Sequence, residues 1–287
     1  MKKVVLCMTL VFVGKGYAKK NDSLKSETHV LTKKYKRGRP FDSFYKQRIR
    51  RYIQDIGCDS YYTLSNFWSF SSLKVATGML PLYLIGRRAD AAVHRQFYDI
   101  ETHTNKNQPP KFLKDIALDD KYISIPFAIL GFISIAHHDP FKRRRAQVFI
   151  TGLAWAYAIK CSVKLFKTDA NLRPWHENYN RHKRSHGGNP SGHMTITTYM
   201  ATFWGCQEGV RLGLPLGLFA AFAFTMNISS NHHYFSQAVA GTGLGLALGI
   251  AASKTFDSLI EPISNKVSFG VGITPHGGWR LKLAYDF

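Results

Sequence analysis

Asn189-Pro190-Ser191-Gly192-His193 is the segment from which the rest of this chain can be interpreted, because it separates two other polar clusters in largely apolar sequence. Residues 164–174, which end in Arg173-Pro174, precede it, and residues 231–241 follow it. Gly192 allows a backbone to approach a ligand closely, and the free N–H groups at the start of the following helix attract anions. The segment therefore predicts a site for an anionic group at a helix N-terminus.

The charge of the chain points in the same direction. Its 287 residues carry a formal net charge of +21, which indicates a phosphorylated substrate or acidic lipid headgroups as partners. Nucleic acid is not expected, because the sequence has neither zinc-finger spacing nor an RNP-like stretch. The four cysteines form no disulfide framework or Cys-x-x-Cys knuckle, and we expect small buried thiols.

Hydrophobic patterning predicts an all-α fold, a bundle of five to six core helices embedded in a membrane. The apolar segments lie at 64–86, 122–137, 146–166, 193–206, 211–229 and 236–253. The basic run Lys142-Arg143-Arg144-Arg145 is a cytoplasmic-side signal, which brings all three polar clusters to the periplasmic face. Several segments are short for spanning helices, so a soluble helical bundle stays an alternative.

Four regions are expected along the chain. Residues 1–18 have the pattern of a cleavable signal peptide, and 19–63 form a basic extension with at most a peripheral helix. Residues 64–253 form the helical domain, and 254–287 a tail in which two alternating apolar stretches predict a β-hairpin. If the signal is cleaved, six spans would put the polar clusters inside the cell. We therefore interpret 64–86, interrupted by Lys74 and serines, as an interfacial or buried helix.

Taken in order, the three clusters resemble the signature motifs of the type-2 phosphatidic-acid phosphatase superfamily, which also contains bacterial acid phosphatases and vanadium haloperoxidases. Arg173-Pro174 matches the end of the first motif. The motif's lysine has no counterpart at the family spacing, since Lys167 is one residue too close to Arg173 and Lys164 two too far. We assign phosphate binding to Arg173 and Lys167.

The second motif is complete and the third is altered. The resemblance implies phosphate binding by Ser191 and Gly192, with His193 as the general acid. It makes His233 the nucleophile that forms a phosphohistidine, and His232 dispensable. The family's Ser-Arg pair is replaced by Met226-Asn227, and its Asp by Gln237. Asn227 is predicted to bind phosphate, and Gln237, four residues after His233, to orient its ring.

The resemblance implies a phosphatase for a phosphate monoester or pyrophosphate that needs no metal or other cofactor. A zinc site formed by His176, His182, His186 and His193 is conceivable but has no recognised ligand spacing. Membrane placement and basic charge imply a lipid phosphate substrate in the bacterial cell membrane, with the active site facing the periplasm. Two alternatives remain: a catalytically impaired relative that binds anionic lipid or phosphate, and a soluble periplasmic acid phosphatase. No obligatory protein partner is evident.

Because the third motif lacks two charged groups, the sequence predicts that restoring them raises activity. The changes are Asn227→Arg and Gln237→Asp, and both would add charge around a transferring phosphoryl group. Cations in the loop between the first two motifs could compensate for the loss, namely Arg181, His182, Lys183, Arg184 and His186.

Overall fold

Eight α-helices and two small antiparallel sheets make up the part of the chain that the computed structural model describes, residues 41–99, 101–102, 104–174, 186–260, 267–273 and 279–285. The helices are α1 (Phe41–Phe67), α2 (Phe70–Phe97), α3 (Lys111–Leu118), α4 (Asp120–Ala136), α5 (Pro140–Lys164), α6 (Gly192–Glu208), α7 (Val210–Ser229) and α8 (Phe235–Ile260). The predicted all-α bundle with a β-hairpin is confirmed. The chain divides within α1, after Gln54, and the contacts below concern the part from Asp55 onward.

The strands are short. β1 (Tyr98–Asp99) pairs with β2 (Thr104–Asn105) directly after α2. The predicted C-terminal hairpin consists of β3 (Val267–Ile273) and β4 (Trp279–Tyr285), with Val267 opposite Tyr285 and Ile273 opposite Trp279. Its register follows the alternation of apolar residues in the sequence, as expected for strands with a side-chain period of two.

The polar residues between the apolar segments cap the helices that follow them. The Asp119 side chain accepts a hydrogen bond from Lys121 N at the start of α4, at 2.9 Å. Asp139 does the same for Phe141 N at the start of α5, where Pro140 occupies the first helical position. Both arrangements satisfy backbone N–H groups that have no partner within their helix.

Helix α8 is central and packs against α6, α2 and α5. Three glycines at a spacing of four, Gly241, Gly245 and Gly249, let its backbone approach α6 closely. A Cβ at Gly245 would lie 2.5 Å from Thr195 O, and one at Gly241 would lie 2.5 Å from Ser191 O. Two of the facing threonines of α6 satisfy their hydroxyl groups within their own helix: Thr195 Oγ1 donates to Ser191 O at 2.8 Å, and Thr202 Oγ1 donates to Thr198 O at 2.7 Å. Polar side chains can therefore be buried in this contact.

Gly245→Ala is expected to destabilise the protein by about 1–3 kcal/mol, because the added methyl group forces α6 and α8 apart. Gly217→Ala is the matched control, since a Cβ at Gly217 meets nothing within 4 Å. Thermal unfolding of the purified variants measures both changes. Equal melting temperatures for the two variants would contradict the close approach of α6 and α8 at Gly245.

An aromatic cluster fixes α5 against α6. Phe149, Tyr199 and Phe203 are fully buried, and the Phe149 ring lies 5.3 Å from that of Tyr199 and 5.2 Å from that of Phe203. The Tyr199 hydroxyl donates to Phe149 O at 2.7 Å, so its polar atom is satisfied in the core. This cluster joins the N-terminal half of α5 to the middle and C-terminal part of α6.

Two sequence expectations are wrong. The extension was expected to hold at most a peripheral helix, but α1 runs to Phe67, its Asp59 is fully buried, and both Asp59 oxygens accept from Arg144. The ion pair allows a charged helix to pack inward. Cys58, Cys161 and Cys206 are exposed rather than buried, because their helices turn these positions outward.

Three helices are long and apolar enough to cross a membrane: Pro140–Lys164, Val210–Ser229 and Phe235–Leu259. A shorter apolar helix covers Ile125–Ala136. Large apolar side chains also face outward on α2, α4 and α7, among them Ile85, Phe132 and Leu218, each more than 60% exposed. Apolar exposure on this scale is unusual for a protein surrounded by water.

Some sequence expectations lie outside the described residues. These are the signal peptide at 1–18, residues 19–40 of the basic extension, and His176 and His182 with the loop cations at 181–184. The division into domains at 19–63, 64–253 and 254–287 stays a prediction.

Candidate functional site

The three polar clusters meet at one end of the bundle. The first follows the C-terminus of α5, the second precedes α6, and the third joins α7 to α8. The Gln237 side chain donates to Ala170 O at 3.0 Å and to Leu172 O at 2.6 Å, and Ser191 N donates to Gln237 O at 3.0 Å. The predicted convergence of the three motifs is therefore confirmed.

Asn171 joins the first cluster to the second, a role that was not predicted from the sequence. Its side-chain amide donates to Val163 O and Phe166 O, and its Oδ1 accepts from Asn189 N at 2.8 Å. Its backbone carbonyl accepts from Gly188 N at 2.8 Å. One residue that is 2% exposed thus ties the end of α5 to the loop before α6.

A tight turn between α7 and α8 presents the two adjacent histidines. Asn231 has a positive φ of 58°, a conformation that asparagine tolerates better than most residues. The turn brings His232 N and His233 N to the carbonyl of Asn227, at 3.0 and 3.2 Å. His233 is 3% exposed, so its ring is held inside the protein.

Gln237 orients the His233 ring, as the sequence predicts for this spacing. Gln237 Oε1 lies 3.3 Å from His233 Nδ1 and accepts from Tyr234 N at 3.2 Å. The amide group cannot be reversed, because its Nε2 already donates to two carbonyls. Oε1 must therefore accept from His233, which places the ring proton on Nδ1. His233 Nε2 then keeps its lone pair, as a nucleophilic imidazole requires.

Gly188 belongs to the same arrangement. A Cβ at Gly188 would lie 2.5 Å from Gln237 Nε2 and 2.6 Å from its Oε1. Only glycine leaves room at this position for the amide to lie flat against the loop. In the sequence, the signal for this position is the pair Gly187-Gly188 before Asn189.

Lys160, Lys164 and Arg173 supply positive charge around these side chains. The positive charges of Arg173 and Lys164 lie close enough to His232 and His233 to lower the pKa of both rings. Lys160 lies under the second motif, since a Cβ at Gly192 would be 3.0 Å from its Nζ. Among the described residues, no carboxylate forms an ion pair with Lys164 or Arg173. Half-buried cations of this kind favour an anionic ligand.

Lys167, to which the sequence analysis assigned phosphate binding, is exposed. Helix α5 ends at Lys164, so Lys167 lies beyond the helical face that Lys160 and Lys164 share at a spacing of four. The structure thus brings Lys160 and Lys164 to the cluster rather than Lys167. In the sequence, the signal for this pair is the spacing of four between Lys160 and Lys164.

The second motif sits at the N-terminus of α6. Ser191 is the N-cap residue and is fully buried, and its hydroxyl group has no hydrogen-bond partner among the described residues. Gly192 begins the helix, so its N–H is one of those without a partner in the helix. The His193 ring centroid lies 6.3 Å from that of His232, which in turn lies 5.9 Å from that of His233. His232 also lines an open groove of about 520 Å³ together with Lys111, Lys114 and Ser230.

Asp90 on α2 fixes the start of α8, a role that no sequence signal indicates. Its Oδ1 accepts from Ser236 N at 2.9 Å, and its Oδ2 accepts from Ser236 Oγ at 2.6 Å. Asp90 is 6% exposed, and it therefore acts as a cap supplied by another helix. Because Ser236 lies between His233 and Gln237, this cap helps to set the positions of both.

In the fold, the side chains of Asn227 and Gln237 make hydrogen bonds other than those that the altered third motif implies. Asn227 is fully buried, and its Nδ2 donates back to Ala223 O at 2.8 Å, so its phosphate-binding role has no supporting contact. Gln237 donates two hydrogen bonds that a carboxylate cannot make. From these contacts we expect Asn227→Arg with Gln237→Asp to lower activity rather than raise it.

Burial keeps both adjacent histidines neutral. Burial and the nearby Arg173 lower the pKa of His232 to about 4. The same causes, with smaller effects from His232 and Lys164, lower the pKa of His233 well below its usual value. A neutral His233 can use the lone pair on Nε2 at any pH near neutrality.

Stability is expected to fall as the pH falls below about 6.5. The unfolded chain binds protons at these histidines there, whereas the folded chain does not, so each group contributes up to about 1.4 kcal/mol per pH unit. Thermal unfolding between pH 7 and pH 4.5 measures the slope. His232→Gln should make the slope shallower, and an unchanged slope in this variant would exclude the burial of His232 as a cause of the pH dependence.

No protein-family model matches this chain, and no curated protein is significantly similar to it. A solved structure that it resembles is a transmembrane PAP2-type phosphatidylglycerolphosphate phosphatase from Bacillus subtilis. The two are 14% identical, with a TM-score of 0.48, and the match covers 67% of this chain and 98% of that one.

Proposed function

We propose that this protein is a phosphatase that hydrolyses a phosphate monoester or pyrophosphate, with a lipid as the substrate. The observation that carries the proposal is the pairing of an oriented, neutral His233 with Lys164 and Arg173, two half-buried cations that form no ion pair with a carboxylate among the described residues. A phosphoryl group needs this combination, namely a nucleophile in line and positive charge around its oxygens.

In the proposed reaction, the lone pair of His233 Nε2 attacks phosphorus and the bond to the leaving oxygen breaks. His193 gives its proton to that oxygen, and water then attacks the phosphohistidine to release inorganic phosphate. Arg173, Lys164 and Lys160 stabilise the charge on the phosphoryl oxygens, and the Ser191 hydroxyl donates a hydrogen bond. The chemistry of these side chains requires no metal ion.

A lipid substrate follows from the surroundings of the site. Three apolar helices of spanning length end near it or begin near it, so the cluster lies where a headgroup would sit if they cross a membrane. With Lys142–Arg145 at the other end of α5, the cluster would face the periplasm. These helices favour a membrane enzyme over a soluble periplasmic acid phosphatase.

The test is phosphate release by the detergent-purified protein from a panel of lipid phosphates, lipid diphosphates and aryl phosphates. Brief incubation with a ³²P-labelled substrate should also trap a phosphoprotein that is labile to acid and stable to alkali. Phosphate release without such an intermediate would contradict the histidine mechanism.

The second candidate is a catalytically impaired relative that binds phosphate without turnover. Asn227 favours it, since an asparagine whose amide bonds back to Ala223 O supplies no charge to the phosphoryl group. Binding of a lipid phosphate with no phosphate release from any ester on the panel would identify this function.

A further inference from the structure

One face of α2 packs against the start of α8, next to His233 and Gln237. Three residues of this face, at a spacing of four, are buried: Gly86, Asp90 and His94. Residues at this spacing share one side of a helix, so they form a continuous surface, which we call the α2 stripe. The stripe meets the three residues that separate His233 from Gln237 in the chain, namely Tyr234, Phe235 and Ser236.

Gly86 and His94 make the contacts at the two ends of the stripe. A Cβ at Gly86 would lie 2.9 Å from Phe235 Cδ1 and 3.1 Å from Ser236 Cα, so α2 closely approaches the backbone of α8 there. The His94 ring packs edge-on against the Tyr234 ring, with the centroids 5.6 Å apart. The segment between the proposed nucleophile and its orienting amide is therefore in contact with α2 along its whole length.

Asp90 makes the polar contacts at the centre of the stripe. Its two carboxylate oxygens accept from Ser236 N at 2.9 Å and from Ser236 Oγ at 2.6 Å. Arg87 Nη1 lies 3.5 Å from Asp90 Oδ2, and this long, partly exposed ion pair restrains the carboxylate much less. Because both short hydrogen bonds end on Ser236, Asp90 fixes the position of that residue and also its rotation.

The position of Ser236 in turn controls the contact between His233 and Gln237. Gln237 Oε1 lies 3.3 Å from His233 Nδ1, at the long end for a hydrogen bond, so a small shift of the turn breaks it. Without this bond the neutral ring has no fixed tautomer, and Nε2 carries the proton in part of the molecules. Asp90 and His233 also line one narrow cavity that has no room for a water molecule, so the stripe lies directly behind the ring.

We propose that Asp90 is a positioning residue for phosphoryl transfer, which acts through Ser236 to hold His233 Nε2 in line with phosphorus. This rests on the proposed function and adds α2 to the elements on which turnover depends. Asp90 accepts hydrogen bonds from the protein and touches no reacting atom, so its loss lowers kcat and leaves substrate binding intact. The role requires the two hydrogen bonds and not the negative charge, which separates the variants below.

Asp90→Leu and Asp90→Asn test the proposal, because the two new side chains are similar in size but only asparagine keeps both contacts. Its Oδ1 accepts from Ser236 N, and its Nδ2 donates to Ser236 Oγ. We expect Asp90→Leu to lower kcat for an aryl phosphate by about 10²-fold with little change in KM, since small misplacements of a reacting group have large effects on rate. Asp90→Asn should keep most of the wild-type kcat.

Asp59→Leu is the matched control. Asp59 is likewise a buried aspartate that joins two helices, but it lies with Arg144 at the opposite end of α5 from the site. This variant should lower the melting temperature without changing kcat per folded molecule. An equal loss of kcat in Asp59→Leu would overturn the proposal, as would an unchanged kcat in Asp90→Leu or an Asp90→Asn enzyme as slow as Asp90→Leu.

A second measurement does not depend on turnover. Diethyl pyrocarbonate acylates unprotonated imidazole nitrogens, and mass spectrometry of the digested protein gives the rate of labelling at His233. We expect labelling several-fold faster in Asp90→Leu than in wild type, because the ring leaves its buried, hydrogen-bonded position, and unchanged labelling in Asp90→Asn and Asp59→Leu. The same rate in Asp90→Leu as in wild type would overturn the proposal. If wild type releases no phosphate from any ester, the phosphatase function fails, whereas faster labelling in Asp90→Leu alone still shows that Asp90 positions the ring.

Discussion

His233→Ala is expected to abolish phosphate release, with a loss of at least about 10⁴-fold in kcat. His233 is the buried imidazole whose free Nε2 is set by the hydrogen bond between Nδ1 and Gln237 Oε1. Removal of a catalytic nucleophile leaves only the contribution of binding and charge stabilisation, and in subtilisin that loss is about 2 × 10⁶-fold. The measurement is phosphate release from the best lipid phosphate of the panel, together with trapping of the phosphoprotein.

The neighbouring histidines supply the controls. His232→Ala should retain turnover to within about tenfold and should still form the phosphoprotein, because Gln237 orients the ring of His233 and not that of His232. His193→Ala should lower turnover of lipid phosphates more than that of aryl phosphates, since a good leaving group needs little protonation. Near-normal turnover by His233→Ala would exclude a phosphohistidine at this position.

Gln237→Asp is expected to lower activity by about 10²-fold or more and stability by about 3 kcal/mol. Gln237 donates to Ala170 O and Leu172 O, and a carboxylate would face those two carbonyl oxygens without a proton to donate. The shorter side chain would also lose its contact with His233. Arg173 follows Leu172 directly, so the same change would also displace the Arg173 cation, to which we assign phosphate binding in the proposed function.

Two further variants separate the possible causes of the loss of activity in Gln237→Asp, namely the lost hydrogen bonds, the shorter side chain and a lower stability. Gln237→Glu keeps the length of the side chain but loses both donated hydrogen bonds, and it should be impaired as well. Gln207→Glu is the control for loss of a structural amide, since Gln207 donates to Ser253 Oγ and Asp257 Oδ1 at the opposite end of α6. It should lower the melting temperature without changing kcat of the folded enzyme. A faster Gln237→Asp enzyme would show that the family's carboxylate can be restored after all.

The helices of the apolar segments (α2 and α4 to α8), the C-terminal hairpin and the convergence of the three motifs could be predicted from the sequence, whereas α1 and α3 were not. Long apolar segments bounded by Asp139-Pro140, Gly192 and similar signals predict where helices lie, because capping and periodicity are local properties. The spacing between His233 and Gln237 likewise predicts one face of a helix or turn, and the structure has that contact. Residues close together in the chain were therefore predicted well.

Positions that depend on distant parts of the chain could not be predicted in this way. The lysines beside the candidate site are Lys160 and Lys164 rather than Lys167, because α5 ends at Lys164 and Lys167 does not continue its face. Asp90 caps α8 across 146 residues of sequence, and nothing near it in the chain indicates that contact.

The order of the polar clusters along the chain was therefore enough to indicate which residues meet at the candidate site, since those clusters contain the histidines, Arg173 and Ser191. The role of Gln237, in contrast, depends on the packed fold. Judged from the altered motif alone, Gln237 is a weakened substitute for a carboxylate. In the fold, Gln237 donates to a loop 65 residues away and at the same time accepts from His233. An amide has both donors and an acceptor, and a partner for each exists only after α5, α6 and α8 have packed together.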